Sequence, residues 1–206
     1  MKIKVCGLKQ IQNIKDIAET GADFAGMIFY DKSPRFVNGS LNFDELKNVN
    51  IKKVGVFVNE SIDSIAKTIT KYDLDFIQLH GNESPDVCKE LMPYAKIIKA
   101  FGIDADFDFK KLDAYADFVE YFLFDTATPN HGGSGKSFDY ELLSNYQLEI
   151  PFIISGGISL ENFKSIKQIK HKSLFGVDIN SKFEISPGLK DSEKIKQFIK
   201  QLNEDK

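Results

Sequence analysis

The sequence predicts an α/β protein built as a single (β/α)8 barrel over residues 1–206. Three observations predict it. Short apolar runs alternate eight times with amphipathic segments, in units of about 25 residues. The best-defined runs, such as Tyr121-Phe122-Leu123-Phe124, are apolar throughout. Strands of that kind are buried on both faces and belong to parallel sheets covered by helices. The first run ends in Cys6-Gly7-Leu8-Lys9, without the glycine fingerprint that opens a doubly wound dinucleotide fold. Eight units at this spacing fit a compact barrel.

Taken in order, Ile3–Cys6 is the first strand. The segment 10–20 is a helix with Ile11, Ile14, Ile17 and Ala18 on one face, ended by Gly21. Phe24–Phe29 is the second strand, followed by a polar loop through Ser33-Pro34-Arg35 and a short helix from Asp44 to Lys47. Val54–Val58 is the third strand, and Ile62, Ile65, Ala66 and Ile69 mark the helix after it. Phe76–Leu79 is the fourth, ending in His80-Gly81. Pro85 opens a helix carrying Val87, Cys88, Leu91 and Met92. Lys96–Ala100 is the fifth strand, with a helix over 107–115, and Phe118–Asp125 is the sixth, with a helix over 138–146. Phe152–Ser155 is the seventh, leading through Gly156-Gly157 to a helix over 159–169, with Ser159 as N-cap and Glu161 in its first turn. Leu174–Val177 is the eighth, and a helix over 191–202 follows, its lysines forming a solvated face.

Composition narrows the class. The net charge of −3 gives no reason to expect nucleic acid or a membrane surface as partner. No apolar run approaches the length of a membrane span. Two cysteines, Cys6 and Cys88, with no secretion signal before them, point to reduced thiols in a cytoplasm. No His, Asp, Glu or Cys cluster has metal-ligand spacing, and Gly-x-Ser-x-Gly is absent, so neither a metal centre nor a serine hydrolase is expected. A monomer is expected, because no long exposed apolar helix face is evident.

In a parallel barrel the C-terminal strand ends face one mouth, where the chemistry sits. Here those ends carry Cys6, Arg35, Gln78, His80, Asp125, the Ser155-Gly156-Gly157 turn and the stretch from Asp178 to Ser181. Cys6 is either a small buried hydrophobe or a base, and its place at a strand end favours the mouth. Cys88, on an apolar helix face, reads as core. Arg35 is the sole arginine, and its planar fork suits a carboxylate or phosphate better than lysine's point charge. The small residues after strands seven and eight, Gly156, Gly157, Asn180 and Ser181, stand where many barrels bind phosphate. Asp125 precedes a loop with three glycines between residues 132 and 135, placed to close over a ligand as a lid. His80 reads as a wall of the site, while His131 and His171 lie in polar surroundings and read as structural.

Several motifs occur together and in order: Lys4-Val5-Cys6-Gly7-Leu8, Ser33-Pro34-Arg35, Gln78-Leu79-His80-Gly81, Phe124-Asp125, Gly132-Gly133-Ser134-Gly135, Ser155-Gly156-Gly157-Ile158, Gly176-Val177-Asp178 and Pro187-Gly188 before Lys190-Asp191. Nearly end to end, the chain resembles the phosphoribosylanthranilate isomerases of tryptophan biosynthesis. The resemblance implies a cofactor-free Amadori rearrangement of a phosphosugar carrying an anthranilate. It implies Cys6 as general base, Asp125 as general acid, and Arg35 as holder of the anthranilate carboxylate. Gln78, His80 and Asp178 would line the substrate site, and Gly156, Gly157, Asn180 and Ser181 would hold the phosphate.

There are departures. Asn180-Ser181-Lys182-Phe183-Glu184 stands where the family usually has Ser-Ser-Gly-Val-Glu, Tyr140 replaces a tryptophan, and Ser134 a threonine. The related histidine-pathway isomerase would carry aspartate where Cys6 stands. Indoleglycerol-phosphate synthase would carry a catalytic lysine and glutamate set that the strand ends do not show. A barrel that only binds a phosphosugar would have no use for both Cys6 and Asp125.

Overall fold

The computed structural model describes residues 1–39, 41–126 and 140–204. The glycine-rich loop read as a lid, with His131 and Ser134, lies outside the described residues apart from Thr126, as does the start of the helix expected at Phe138. Eight parallel strands close on themselves in sequence order: β1 (Lys2–Cys6), β2 (Phe24–Ile28), β3 (Lys52–Phe57), β4 (Phe76–Leu79), β5 (Lys96–Ile103), β6 (Tyr121–Thr126), β7 (Phe152–Ile154) and β8 (Leu174–Ile179). The seam is the pairing of β1 with β8, in which Lys4 stands opposite Asp178.

The α-helices among the described residues are α1 (Ile11–Ala18), α2 (Phe43–Leu46), α3 (Ile62–Tyr72), α4 (Pro85–Leu91), α5 (Phe163–Gln168) and α6 (Ser192–Asn203). Four of them begin where a side chain satisfies free backbone N–H groups. Asn42, Ser61, Ser84 and Asp191 cap α2, α3, α4 and α6, with Pro85 opening α4. Three expectations change. The helices expected after β5 and β6 are 3-10 turns, over Phe109–Phe118 and Tyr140–Asn145. In the first, Asp108 binds the Lys110 N–H, the local bonding by which aspartate competes with an α-helical ladder. Ser159 is not an N-cap. Its N–H donates to Asn162 Oδ1 (2.9 Å) and its hydroxyl takes the Glu161 N–H, so a turn forms and α5 starts only at Phe163. After β8 comes a further 3-10 turn, Ser181–Phe183, and an antiparallel hairpin of β9 (Glu184–Ser186) and β10 (Leu189–Lys190).

Two cores result. The larger lies between barrel and helices, with Ile14, Ile17, Ile65, Cys88, Leu91, Ile195 and Phe198 facing outward strand residues such as Ile77, Phe122 and Ile154. Burial lifts the Cys88 thiol to about 11, which suits a packing residue. The smaller core fills the barrel: Phe24, Val54, Phe76, Ile98, Leu123 and Ile153, with Tyr121 and Phe175 against them. Its rings pack edge-on and stacked, Phe24 at 5.5 Å and Tyr121 at 5.8 Å from Phe76. Side chains alternate along a strand, so Phe76 in this plug is followed on the same side by Gln78 and then His80 at the mouth. The plug is the floor of the site. Phe76→Ala is expected to lower the unfolding free energy by about 3–5 kcal/mol in urea titration, against a change within about 0.5 kcal/mol for Glu193→Ala on the exposed side of α6.

Candidate active site

One cavity of about 290 Å³ opens at the C-terminal ends of the strands. It is lined by all ten residues named from the sequence: Cys6, Arg35, Gln78, His80, Asp125, Gly156, Gly157, Asp178, Asn180 and Ser181. Lys32 and Lys182 line it as well.

On one wall, β1 sends Lys4 and Cys6 inward at alternate positions. Lys4 Nζ donates to Asp178 Oδ2 at 2.9 Å, and both side chains are buried. The same ammonium and the Cys6 sulfur both border Gly26, at 3.2 and 3.0 Å from where a side chain there would begin. Burial works against the Lys4 charge, but Asp178 and Cys6 outweigh it and hold the ammonium on. For Cys6 burial prevails and pushes the thiol up, with the Lys4 and Lys190 ammoniums pulling the other way.

The opposite wall carries Asp125 and His80. Asp125 Oδ1 accepts the Thr126 N–H at 2.9 Å, and Oδ2 lies 3.6 Å from His80 Nε2. Gln78 Nε2 meets His80 Nδ1 at 2.6 Å, so that Gln78 orients the ring with its Nε2 edge toward Asp125. Two buried acceptors, Gln78 Oε1 and Asp178 Oδ1, have no hydrogen-bond partner in the protein. Such atoms beside a cavity call for donors on a ligand.

Arg35 sits in a loop pinned to the end of β2: Val37 N–H donates to Ile28 O, and the Arg35 N–H to Ser33 Oγ. Its fork is not a weak surface pair. Nε and Nη2 donate to the two oxygens of Glu184 at 2.9 and 2.7 Å, and Glu184 is only 6% exposed. Lys190 Nζ also reaches Glu184, at 2.6 Å, and bonds Asn180 Oδ1 at 2.5 Å. The hairpin thus orients Arg35 and leaves the edge formed by Nη1 outside the Glu184 contact. At the other end, Gly156 has φ +94°, and a side chain there would collide with Thr126 Oγ1 and Asp125. Lys182 sits in the 3-10 turn that replaces the glycine-containing pattern, and Phe183 beside it packs on Phe198 at 5.0 Å.

A family model for N-(5'phosphoribosyl)anthranilate (PRA) isomerase matches residues 3–201. The chain belongs to this isomerase family, enzymes of tryptophan biosynthesis. The N-(5'-phosphoribosyl)anthranilate isomerase of Parabacteroides distasonis is 46% identical over 206 residues, covering 98% of this chain and 93% of the relative. Among solved structures, the Thermotoga maritima isomerase is 32% identical with a TM-score of 0.83, covering 99% of each chain. A family structure in complex with reduced 1-(o-carboxyphenylamino)-1-deoxyribulose 5-phosphate is 28% identical with a TM-score of 0.80, again covering 99% of each. The Thermotoga maritima enzyme is described as dimeric.

Sequence reasoning missed Lys4, Glu184 and Lys190 as members of the site. All three stood inside stretches already quoted, and the signal for Lys4 was its spacing of two from Cys6. Glu184 also generates a pH prediction. Burial alone would raise its carboxyl, but Arg35 and Lys190 hold it down at about 2. A depressed carboxylate contributes stability that is complete above its unfolded value and lost as pH falls through the folded one. Between pH 6 and pH 3 the wild type should therefore lose about 2 kcal/mol that Glu184→Gln does not lose, read from urea midpoints at the two pH values.

Proposed function

We propose that Cys6 and Asp125 carry the family's rearrangement in this chain as base and acid. Asp125 gives its proton to the furanose ring oxygen of N-(5-phosphoribosyl)anthranilate. The C1–O bond breaks and the anilino nitrogen lone pair forms the Schiff base. Cys6 as thiolate takes the C2 proton; the electrons form C1=C2 and return the lone pair to nitrogen, giving the enolamine. The C2 hydroxyl proton then passes to the Asp125 carboxylate and the Cys6 proton to C1. The product is the ketone 1-(2-carboxyphenylamino)-1-deoxyribulose 5-phosphate. Both groups end as they began, and the proton count closes. Each is worth on the order of 10²–10⁴-fold.

The single observation carrying this reading is the convergence of the ten motif residues on one cavity in a chain of this family. Cys6 and Asp125 come from strands on different sides of the barrel, so acid and base address different parts of one ligand. A buried thiol is slow to ionise, but its thiolate is a strong base, as the weakly acidic C2–H needs. Arg35, held from behind by Glu184, offers its remaining edge to the anthranilate carboxylate. The Gly156-Gly157 and Asn180-Ser181 turns take the phosphate, with Lys182 at the same rim. Gln78 Oε1 and Asp178 Oδ1 accept from sugar hydroxyls. In this reading residues 1–206 act as one catalytic domain in the cytoplasm, and a monomer is the working unit because one chain supplies every group named. No helix among the described residues is long and apolar enough to cross a membrane.

The test follows anthranilate fluorescence as phosphoribosylanthranilate is generated in situ. Wild type should speed its decay, and Asp125→Asn and Cys6→Ala should each cut turnover by about 10²–10⁴-fold. Cys6→Ala should still bind a reduced product analogue. Equal turnover in a variant removes that residue from its role. No decay above background with wild type sinks the reading.

A further inference from the structure

We infer that Lys4 is the positioning residue for the proposed base: its ammonium, anchored on Asp178 across the barrel seam, is the counter-ion that Cys6 meets when it ionises. The inference rests on the reading of Cys6 as base and goes beyond it by naming what sustains the thiolate.

Geometry carries it. Lys4 and Cys6 are two residues apart on β1 and face the same way. Asp178 stands opposite Lys4 in the β1–β8 register and takes one ammonium hydrogen through Oδ2. An ammonium has three donors; Asp178 takes one, and the Cys6 sulfur lies on the same side, both groups bordering Gly26. On the other flank Gly26 stands opposite Cys6 in the β1–β2 register. A methyl group on Gly26 would lie 3.0 Å from Cys6 Sγ and 3.2 Å from Lys4 Nζ, wedged against both. The glycine leaves the space in which ammonium and sulfur meet.

The charges around the sulfur point the same way. Facing it are Lys4 on its own strand, Asp178 on β8, Lys190 on β10 and Arg35 from the loop after β2. Glu184 closes the group through Arg35 and Lys190, while Asp125 and His80 face the cavity from the far wall. Lys4, Lys190 and Arg35 carry three positive charges against two negative ones on Asp178 and Glu184. A thiolate at Cys6 brings this buried cluster to neutrality; a thiol leaves it one positive charge in surplus. An ion pair that merely closed the seam would not need the sulfur beside it; the bare position at Gly26, where a Cβ would crowd the Cys6 backbone at 3.0 Å as well as both side-chain ends, lets the two groups share that side of the strand.

The experiment measures iodoacetamide alkylation of Cys6 against pH, by peptide mass spectrometry, in wild type, Lys4→Met and Gly26→Ala. Cys88 serves as an internal reporter of folding. Loss of the neighbouring positive charge should raise the Cys6 midpoint by about one pH unit or more in Lys4→Met. Gly26→Ala, which keeps the Lys4–Asp178 pair but parts it from sulfur, should move the midpoint the same way by less. Turnover at neutral pH should fall roughly tenfold or more in Lys4→Met, with the acid limb of kcat moving alongside the alkylation midpoint. KM should change far less than kcat. An unmoved Cys6 midpoint in Lys4→Met with Cys88 still protected overturns the inference. Should Lys4→Met expose Cys88, Gly26→Ala decides, and an unmoved midpoint there overturns it equally. A moved midpoint with an unmoved kcat profile upholds the pairing of Lys4 with Cys6 and overturns Cys6 as the base.

Discussion

Closure of the sheet is the constraint on which the rest of this molecule depends. The first strand must find the eighth, and it does so in the register that sets Lys4 against Asp178. A slip of one residue would turn every inward side chain of β1 outward, so the same register sends Lys4 and Cys6 into the barrel. Uncovered halves of a buried ion pair are costly, and no other register supplies Lys4 with that partner. A feature that fixes the topology therefore also fixes where a thiol and an ammonium meet.

Above the aromatic plug, the barrel divides its work between strands and loops. Strands carry the cavity-lining side chains Cys6, Gln78, Asp125 and Asp178 directly on the sheet. Loops carry the lining groups at the rim. Arg35 comes from the loop after β2 and is steadied by Glu184 and Lys190, which come from the hairpin after β8. The carboxylate of Glu184 turns a flexible guanidinium into a fixed one, with its charge-assisted bonds spent on orientation.

Much of this was legible in the sequence. Fully apolar strands such as Tyr121–Phe124 betray themselves because both their faces are covered, and the residue after each run then falls at the mouth. The ten motif residues converge for that reason. The nature of the connections was less legible. Whether residues 109–118 wind as an α-helix or as 3-10 turns depends on local aspartate bonding, which apolar spacing does not report. Ser159 has the chemistry of a cap, and only the competing bonds of Asn162 delay the helix. The charged partners were hardest to see. In a chain whose cations are lysines but for Arg35, one more lysine draws no notice, even in a strand that carries Lys2 and Lys4 two apart. Glu184 acquires meaning only from Arg35, 149 positions away, and Lys190 only through Glu184 and Asn180, which it bonds.

That separation has a consequence for synthesis. Lys4 and Asp178 lie 174 residues apart, and Arg35 and Glu184 lie 149 apart. Domains emerge from the ribosome N-terminus first, at a few residues per second, and contacts this distant wait for the far end of the chain. Cys6 is among the first residues made, yet its neighbours Asp178 and Lys190 are among the last. Until β8 and the hairpin arrive, the nascent barrel has a gap beside Cys6, and Lys4 can remain in water. Chemistry begins only with a nearly finished chain, so truncated products carry an open seam and no working site.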